Sequence, residues 1–299
     1  MRYTRTPMPN PLDSIPPIPL KATELSDGDY NAFRELIYRH SRINLGENKK
    51  GLVNSRLGKR LRATGLSTFK EYLNHLNSRD GEVELTHFID AISTNHTFFF
   101  RETGHYEFLT QTVLPRFLES SGEPVWSDRN LRIWSAACST GEEPYSIAMT
   151  VHEPVFKLKH RDYTIQATDI SNSVLKSANK GVFKYDRSQA IDEHLLRKYF
   201  QKGAGKNEGM VRAKDEIRRK INFQQLNLLS GSYPFRESFH VIFNRNVMIY
   251  FDLPTQQELI NQMLPLMAPG GYLFIGHSES LNGLDHPLKQ LQPSIYQKV

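Results

Sequence analysis

Apolar positions recur along this chain at two different spacings, and the spacing changes near residue 130. Between residues 25 and 92 the pattern is helical: Tyr30, Phe33, Leu36 and Ile37, then Leu57 and Leu61, then Phe69, Tyr72, Leu73 and Leu76, then Leu85, Phe88, Ile89 and Ile92. Ser26 or Asp27 caps the first of these helices, and the second starts after Gly46. Ser67-Thr68 caps the third, and the fourth begins about Glu82. A further helix is expected over Tyr106–Phe117, closed by Ser120-Ser121-Gly122. From residue 131 onward, strand-like runs alternate with helical ones. The strands are Leu131–Cys138, Tyr163–Asp169, Ile221–Leu226, Phe239–Arg245 and Gly271–Ile275, with Ser294–Lys298 expected at an edge. Helices fall from Glu142, over Asn172–Asn179, near Ile191–Phe200, and after a Thr255 cap, the last stopped by Pro269-Gly270-Gly271. Alternation of this kind predicts a mostly parallel sheet covered on both faces. Residues 1 to about 24 hold Pro7, Pro9, Pro11, Pro16, Pro17 and Pro19 with little periodicity and read as a flexible tail.

Leu131 to Ile170 organises the second half. A buried strand meets the turn Ser139-Thr140-Gly141, and a helix follows whose first turn carries Glu142, Glu143 and Pro144. Carboxylates suit that position because they meet the positive end of the helix dipole, and proline loses no needed hydrogen bond there. The next strand ends on Asp169, placed to accept hydrogen bonds from ribose hydroxyls. This is the plan of a nucleotide-binding βαβ unit, although an ordinary βαβ unit with a surface Asp fits the same pattern. One glycine stands where a dinucleotide fingerprint needs three. That argues against NAD and for a ligand without a pyrophosphate, such as S-adenosylmethionine.

Composition narrows the class. A chain of 299 residues has room for about two domains. Charged residues make up 23% and hydrophobic ones 38%, and no apolar run approaches the roughly 20 residues of a membrane span. No signal-peptide core is visible at the start. Cys138 is the single cysteine, so an intrachain disulfide and a cysteine metal cluster are excluded, and the expected location is cytoplasmic. No metal site is expected. The net charge of +6 favours an acidic partner, nucleic acid or protein. Arg56, Lys59 and Arg60 share a helix face with Arg62 close by, and no acidic residue lies between Lys49 and Thr64 to pair with them. That face is either a solvated surface or a docking site for an acidic helix. Asn95-His96-Thr97-Phe98-Phe99-Phe100-Arg101-Glu102 puts three aromatics, expected as core anchors, beside an arginine expected to have a carboxylate partner, structural or on a ligand. Gly203, Gly205 and Gly209 mark a turn between possible strands, a hairpin inserted into the main sheet whose edge could pair with an added peptide.

Taken together, Ser93–Glu102, Trp134–Ala148, Asn244–Phe251, Gly276–Glu279 and Phe183–Arg212 resemble the CheR family of S-adenosylmethionine-dependent methyltransferases that modify bacterial chemoreceptors. The likeness runs in order from about residue 25 to the C-terminus. It implies an α/β fold: a Rossmann-like methyltransferase domain over 131–299 with a small β-subdomain inserted at about 181–220. A small all-helical N-terminal domain over 25–92 would precede it, with a linker and interdomain helix over 93–130. It implies that the cofactor lies between the domains, against Asn95, Thr97, Arg101, Glu143, Asp169, Asn227, Leu228, Arg245 and Asn246. Arg101 would face the methionine carboxylate, and Tyr250 matches a tyrosine near the methyl group; these two are the candidate catalytic residues, for positioning. Glu143 and Asp169 would contact the ribose and adenosine end. The implied activity is protein-glutamate O-methylation of chemoreceptor cytoplasmic helices, leaving S-adenosylhomocysteine. Arg56, Lys59, Arg60 and Arg62 would dock those helices, and the Gly203-Gly205-Gly209 turn resembles a loop that tethers a receptor C-terminal pentapeptide. A glutamate carboxylate is already a nucleophile at neutral pH, so His96 and His277 are not needed as bases. A non-catalytic S-adenosylmethionine or S-adenosylhomocysteine sensor would predict lesions at Arg101, Asp169 or Tyr250, and none is present. A nucleic-acid methyltransferase is disfavoured because the basic residues are not interleaved with aromatics and no base-flipping tetrapeptide follows the fourth strand. No nucleic acid and no membrane insertion are expected, and a monomer is the default.

Overall fold

The structure is a computed structural model and describes residues 24–119, 126, 128–158 and 160–299. The proline-rich stretch up to residue 23 and the expected closing turn Ser120-Ser121-Gly122 lie outside the described residues.

Four helices form the first unit: α1 (Asp27–Ser41), α2 (Lys50–Thr64), α3 (Phe69–Leu76) and α4 (Glu82–Ile92). Ser26 caps α1 by accepting from Asp29 N, and Thr68 with Glu71 forms a reciprocal capping box on α3. Phe33, Leu57, Tyr72 and Phe88 fill the middle of this unit and are fully buried. Each contributes about 2–3 kcal/mol through burial. The Tyr72 hydroxyl donates to Glu84 Oε1 at 2.6 Å, and Arg60 grips the same carboxylate at 2.8 and 2.6 Å. Next, α5 (Gly104–Phe108) runs through a π turn (Leu109–Val113) into α6 (Leu114–Leu118).

The second unit proceeds β1 (Asn130–Ala136), α7 (Glu142–Phe156), β2 (Asp162–Asp169), α8 (Asn172–Lys180), β3 (Val182–Lys184), α9 (Glu193–Tyr199), β4 (Phe200–Lys202), β5 (Met210–Ala213), α10 (Asp215–Arg218), β6 (Ile221–Gln225), β7 (Phe239–Asn244), α11 (Leu253–Met263), β8 (Met267–Ile275), β9 (Leu288–Gln292) and β10 (Ile295–Lys298). Seven of the strands form one sheet in the order β6-β2-β1-β7-β8-β10-β9, in which only β10 runs against the others, pairing antiparallel with β8 and β9. Near-continuous apolar runs such as Phe239–Phe243 are what a doubly covered parallel sheet requires. One face packs on α5–α7, with Ile133, Phe243 and Phe274; the other packs on α11, with Trp134, Ile242 and Leu273. From β1 the chain winds outward to β2 and β6, then returns to the far side of β1 as β7. That reversal is a topological switch point, and a crevice opens there at the strand C-termini.

Several expectations are corrected. The 203–209 hairpin is not part of the main sheet; β4 and β5 join β3 in a separate three-stranded sheet, order β3-β5-β4. Asp252, not Thr255, caps α11, its carboxylate accepting from Thr255 N at 3.0 Å. Pro269-Gly270-Gly271 does not stop that helix, which already ends at Met263; it lies inside β8, where Gly270 takes φ +67° and pairing with β7 shifts register. β10 is interior and β9 is the edge strand, four of whose five residues are exposed. Phe98 is no core anchor: it is 43% exposed, whereas Phe99 is fully buried.

Candidate active site

A cleft of about 620 Å³ lies over the C-terminal ends of β1, β2, β6 and β7 and under the helical unit. That volume is in the range for a drug-sized ligand. Asn95, Thr97, Arg101, Glu143, Asp169, Asn227, Leu228, Arg245, Asn246 and Tyr250, drawn from five separate stretches, all line it. Cross-domain bonds hold the roof down. Asn44 N donates to Tyr250 O at 2.8 Å, Tyr38 Oη to Asp252 Oδ2 at 2.8 Å, and Asn227 Nδ2 to His40 O at 3.0 Å.

Backbone strain concentrates here. Phe100, Glu102, Ala137, Ser139 and Asn246 all have φ between +50° and +66°. Each such residue costs on the order of 1–3 kcal/mol, and strain of this kind persists where the surroundings over-determine it. Between β1 and α7 the chain turns through Ala137, Ser139 and Gly141; Gly141 has φ +100°, and a Cβ there would lie 2.9 Å from Ala178 Cβ. No other residue fits that turn without moving α8.

Within the cleft the predicted residues divide into two groups. Arg101 is half-buried and makes one hydrogen bond, donating to His96 O at 3.0 Å, with its guanidinium 5.8 Å from the Phe98 ring centroid. Of the two carboxylate partners expected for it, the structural one is not found: among the described residues no carboxylate lies within ion-pair distance. Its remaining donors are available to an anion in the cleft. Tyr250 closes the 3₁₀ turn Met248–Tyr250 at the same mouth. Asp169, buried at the tip of β2, accepts from Ser139 N at 2.8 Å on one oxygen and from Ser171 N at 2.9 Å on the other. Burial pushes its pKa up against those bonds. Each oxygen retains a lone pair for a hydroxyl donor.

The other group braces the cleft wall that it lines. Arg245 lines the cleft and is held by its neighbours. All five of its N–H groups are engaged: Glu102 Oε2 at 3.3 and 3.1 Å, Tyr106 Oη at 3.4 Å, Glu143 Oε2 at 3.2 Å, and the Arg101 carbonyl. Nothing is left for a ligand; it fixes the backbone of Arg101. Glu143 accepts from Ser135 Oγ at 2.7 Å as well, and burial pushes its pKa up despite Arg245. For Glu102, burial pushes upward, but Arg245 and the donors around it hold the carboxyl below its ordinary value. Asn227 is occupied at both ends, bonding His40 O and accepting from Leu229 N at 3.0 Å. Leu228 is a buried apolar wall.

Sequence reasoning missed Glu102 and Glu279 as organisers. Glu279 receives Asn246 N at 2.8 Å, Gly276 N at 2.6 Å and Ile249 N at 3.3 Å, and so shapes the loop after β7. The Gly276–Glu279 word was the available signal; its acceptor role depends on a loop 30 residues away in the chain. Glu102, His105 and His277 bring ligand atoms within 4.8 Å of one another. Glu102, however, already serves Arg245, Asn246 Nδ2 and His277 N, and a cation would sit beside the guanidinium.

The basic face of α2 is also corrected. Arg60 is the partner of buried Glu84, and Arg56 donates to Ile92 O at 2.6 Å and Ser93 O at 3.0 Å, capping α4. Lys59 and Arg62 stay exposed. A second cleft of about 620 Å³ lies on the small sheet, beside Lys180, Lys202, Arg212 and Arg218 and against Gly203. Gly205 and Gly209 turn the β4–β5 hairpin at φ +58° and +76°. At Gly203 a Cβ would lie 2.0 Å from Asn207 O, so only glycine closes this turn.

Two family models match: the CheR methyltransferase all-alpha domain over residues 28–93 and the CheR methyltransferase SAM binding domain over residues 95–296. The chemotaxis protein methyltransferase of Escherichia coli (strain K12) is 39% identical over 91% of this chain and 91% of its own length. That of Borreliella burgdorferi is 40% identical over 88% of this chain and 92% of its own. Chemotaxis protein methyltransferase 2 of Pseudomonas aeruginosa is 40% identical over 90% and 92%.

Proposed function

Since the chain belongs to the CheR methyltransferase family, we propose the reading that its two clefts support together: methylation of glutamate side chains on chemoreceptor helices, with S-adenosylmethionine held in the cleft between the domains and S-adenosylhomocysteine released. The observation that carries this is Arg101, a half-buried guanidinium with one backbone hydrogen bond, at the mouth of a cleft whose floor ends in Asp169. A zwitterionic amino-acid end and a ribose have complementary partners at those two points. When bound, the cofactor supplies an electrophilic sulfonium methyl. The residues of the chain then have three tasks. Arg101 fixes the carboxylate end, Asp169 accepts from the ribose, and Tyr250 lines the mouth where an incoming glutamate must be aligned and stripped of water. No proton has to be removed from an ionised carboxylate, so His96, which also lines the cleft, is not needed as a base. Nothing about the site favours a non-catalytic sensor.

Docking of the substrate involves two regions. Lys59 and Arg62, with Arg56 and Arg60 held inward, form a smaller cationic patch than the α2 sequence suggested, facing the acidic surface of a receptor helix. The cationic cleft beside Gly203, Gly205 and Gly209 fits an acidic peptide adding to the β4 edge, a receptor C-terminal pentapeptide being the matching form. Among the described residues no helix is long and apolar enough to cross a membrane. Titration calorimetry tests the cofactor assignment. Wild type should bind S-adenosylhomocysteine, and Arg101→Ala should weaken that binding at least tenfold, a loss of about 1.4 kcal/mol or more. Equal affinity in the two proteins would refute the assignment of Arg101.

A further inference from the structure

The β-subdomain touches the wall of the main cleft through Arg187. This residue lies in the 3₁₀ turn Tyr185–Ser188 that follows β3. Its Nη2 donates to Thr97 O at 3.2 Å and stands 3.0 Å from Glu142 Oε1. Glu142, first residue of α7, is fully buried, and its other oxygen accepts from Thr140 Oγ1 at 2.6 Å. Among the described residues Arg187 is the only cation in ion-pair contact with it. Arg187 is half-exposed while Glu142 is fully buried, so removing the guanidinium takes away the cation beside Glu142 Oε1.

Thr97 belongs to the loop that presents Asn95, Thr97 and Arg101 to the cleft. Four polar contacts to its backbone pin that loop to the α/β domain: Ser139 Oγ to Asn95 O at 3.3 Å, Arg187 to Thr97 O, Ser146 Oγ to Phe100 N at 3.0 Å, and Arg245 to the Arg101 carbonyl. Three of them come from the turn before α7, from α7 itself and from the end of β7. Only the Arg187 contact comes from the inserted subdomain. We propose that Arg187 is a positioning residue that couples the β-subdomain to the cofactor loop. It does so by bridging Glu142 and Thr97, so that order in one is transmitted to S-adenosylmethionine affinity in the other. This rests on the cleft being the S-adenosylmethionine site. Coupling between two sites is reciprocal: cofactor binding then stiffens the 185–188 turn as well.

The test compares wild type, Arg187→Gln, Arg187→Lys, Glu142→Gln and the Arg187→Gln/Glu142→Gln double variant. S-adenosylhomocysteine affinity is read by calorimetry and KM for each substrate by methyl transfer. Arg187→Gln should raise the Kd for S-adenosylhomocysteine and the KM for S-adenosylmethionine roughly fivefold to tenfold. KM for receptor and kcat should stay within about twofold. Lys should restore part of the loss. Glu142→Gln should weaken binding similarly, with the double variant no worse than either single one. The proposal is overturned if Arg187→Gln binds as wild type does. It is equally overturned if all kinetic parameters worsen together with the melting temperature, which marks a merely structural contact. Should Arg187→Gln fail to fold, Glu142→Gln decides alone by the same criteria. Absence of binding by wild type would refute the cofactor site itself, a separate outcome.

Discussion

Arg245→Met offers a severe test of how this site is built. Arg245 has a side chain only 2% exposed, with Glu102 at 3.1 Å and Glu143 at 3.2 Å. Methionine keeps the length and apolar character of the stem but leaves two largely buried carboxylates near each other. Breaking a buried pair by removing one partner costs about 3–5 kcal/mol. One carboxyl then takes a proton, and Glu143, which burial already pushes above its ordinary pKa, is the one that does so. In a domain of this size each kcal/mol moves the midpoint by roughly 2–4 °C, so the melting temperature should fall about 6–20 °C. The helical unit has a core of its own, so a global signal would mix two transitions. Trp126 and Trp134, the two tryptophans, are both fully buried in the sheet domain, and their fluorescence in urea isolates the transition that matters. Adding Glu143→Gln to Arg245→Met should recover part of the loss. A loss under about 1 kcal/mol, or strict additivity in the double variant, would refute the buried-charge account.

Three further outcomes follow from the same geometry. Asn244 is fully buried at the end of β7, and neither of its side-chain polar atoms finds a partner among the described residues; Asn244→Val should therefore stabilise the fold by about 1–3 kcal/mol in urea titration, with methyl transfer retained. Burial and the nearby Arg245 hold the buried imidazole of His105 down to about 3. The unfolded chain then takes up a proton below its ordinary value of 6.5 that the folded state refuses. This stability is present above that pH and is lost as the solution is acidified toward 3, at up to about 1.4 kcal/mol per pH unit. His105→Gln should flatten the fall in urea midpoint between pH 6.5 and 5 by about one proton's worth, and an unchanged slope would contradict the burial argument. Lys59→Glu with Arg62→Glu should raise KM for receptor severalfold and leave S-adenosylhomocysteine binding unchanged, whereas Arg60→Ala should mainly unfold the helical unit by stranding Glu84 and Tyr72.

Much of the fold was legible because periodicity is local. The helices from α1 to α4 and the alternating order from β1 onward follow from spacing and caps such as Ser26 and Thr68. Where reading by pattern failed, the deciding contact was remote. Arg60 looked free because its partner, Glu84, lies on another helix 24 residues away. The run Leu288–Gln292 showed no alternation to mark a strand, so β10 was taken for the edge that β9 provides. Three aromatics in succession suggested three core anchors, but neighbouring residues point in different directions, and Phe98 is left at the cleft. The site residues themselves were named through the family resemblance. That Arg101 keeps free donors while Arg245 and Asn227 are held by their neighbours depends on hydrogen-bond partners that no linear motif displays.

The central claim is carboxyl methylation, and the most direct measurement is transfer of tritiated methyl from S-adenosylmethionine to membranes bearing the organism's own chemoreceptors, with Arg101→Ala alongside. The account predicts base-labile label on the receptor band with wild type and little or none with the variant. Label that survives base, or none at all from a wild-type protein that binds S-adenosylhomocysteine by calorimetry, would contradict it.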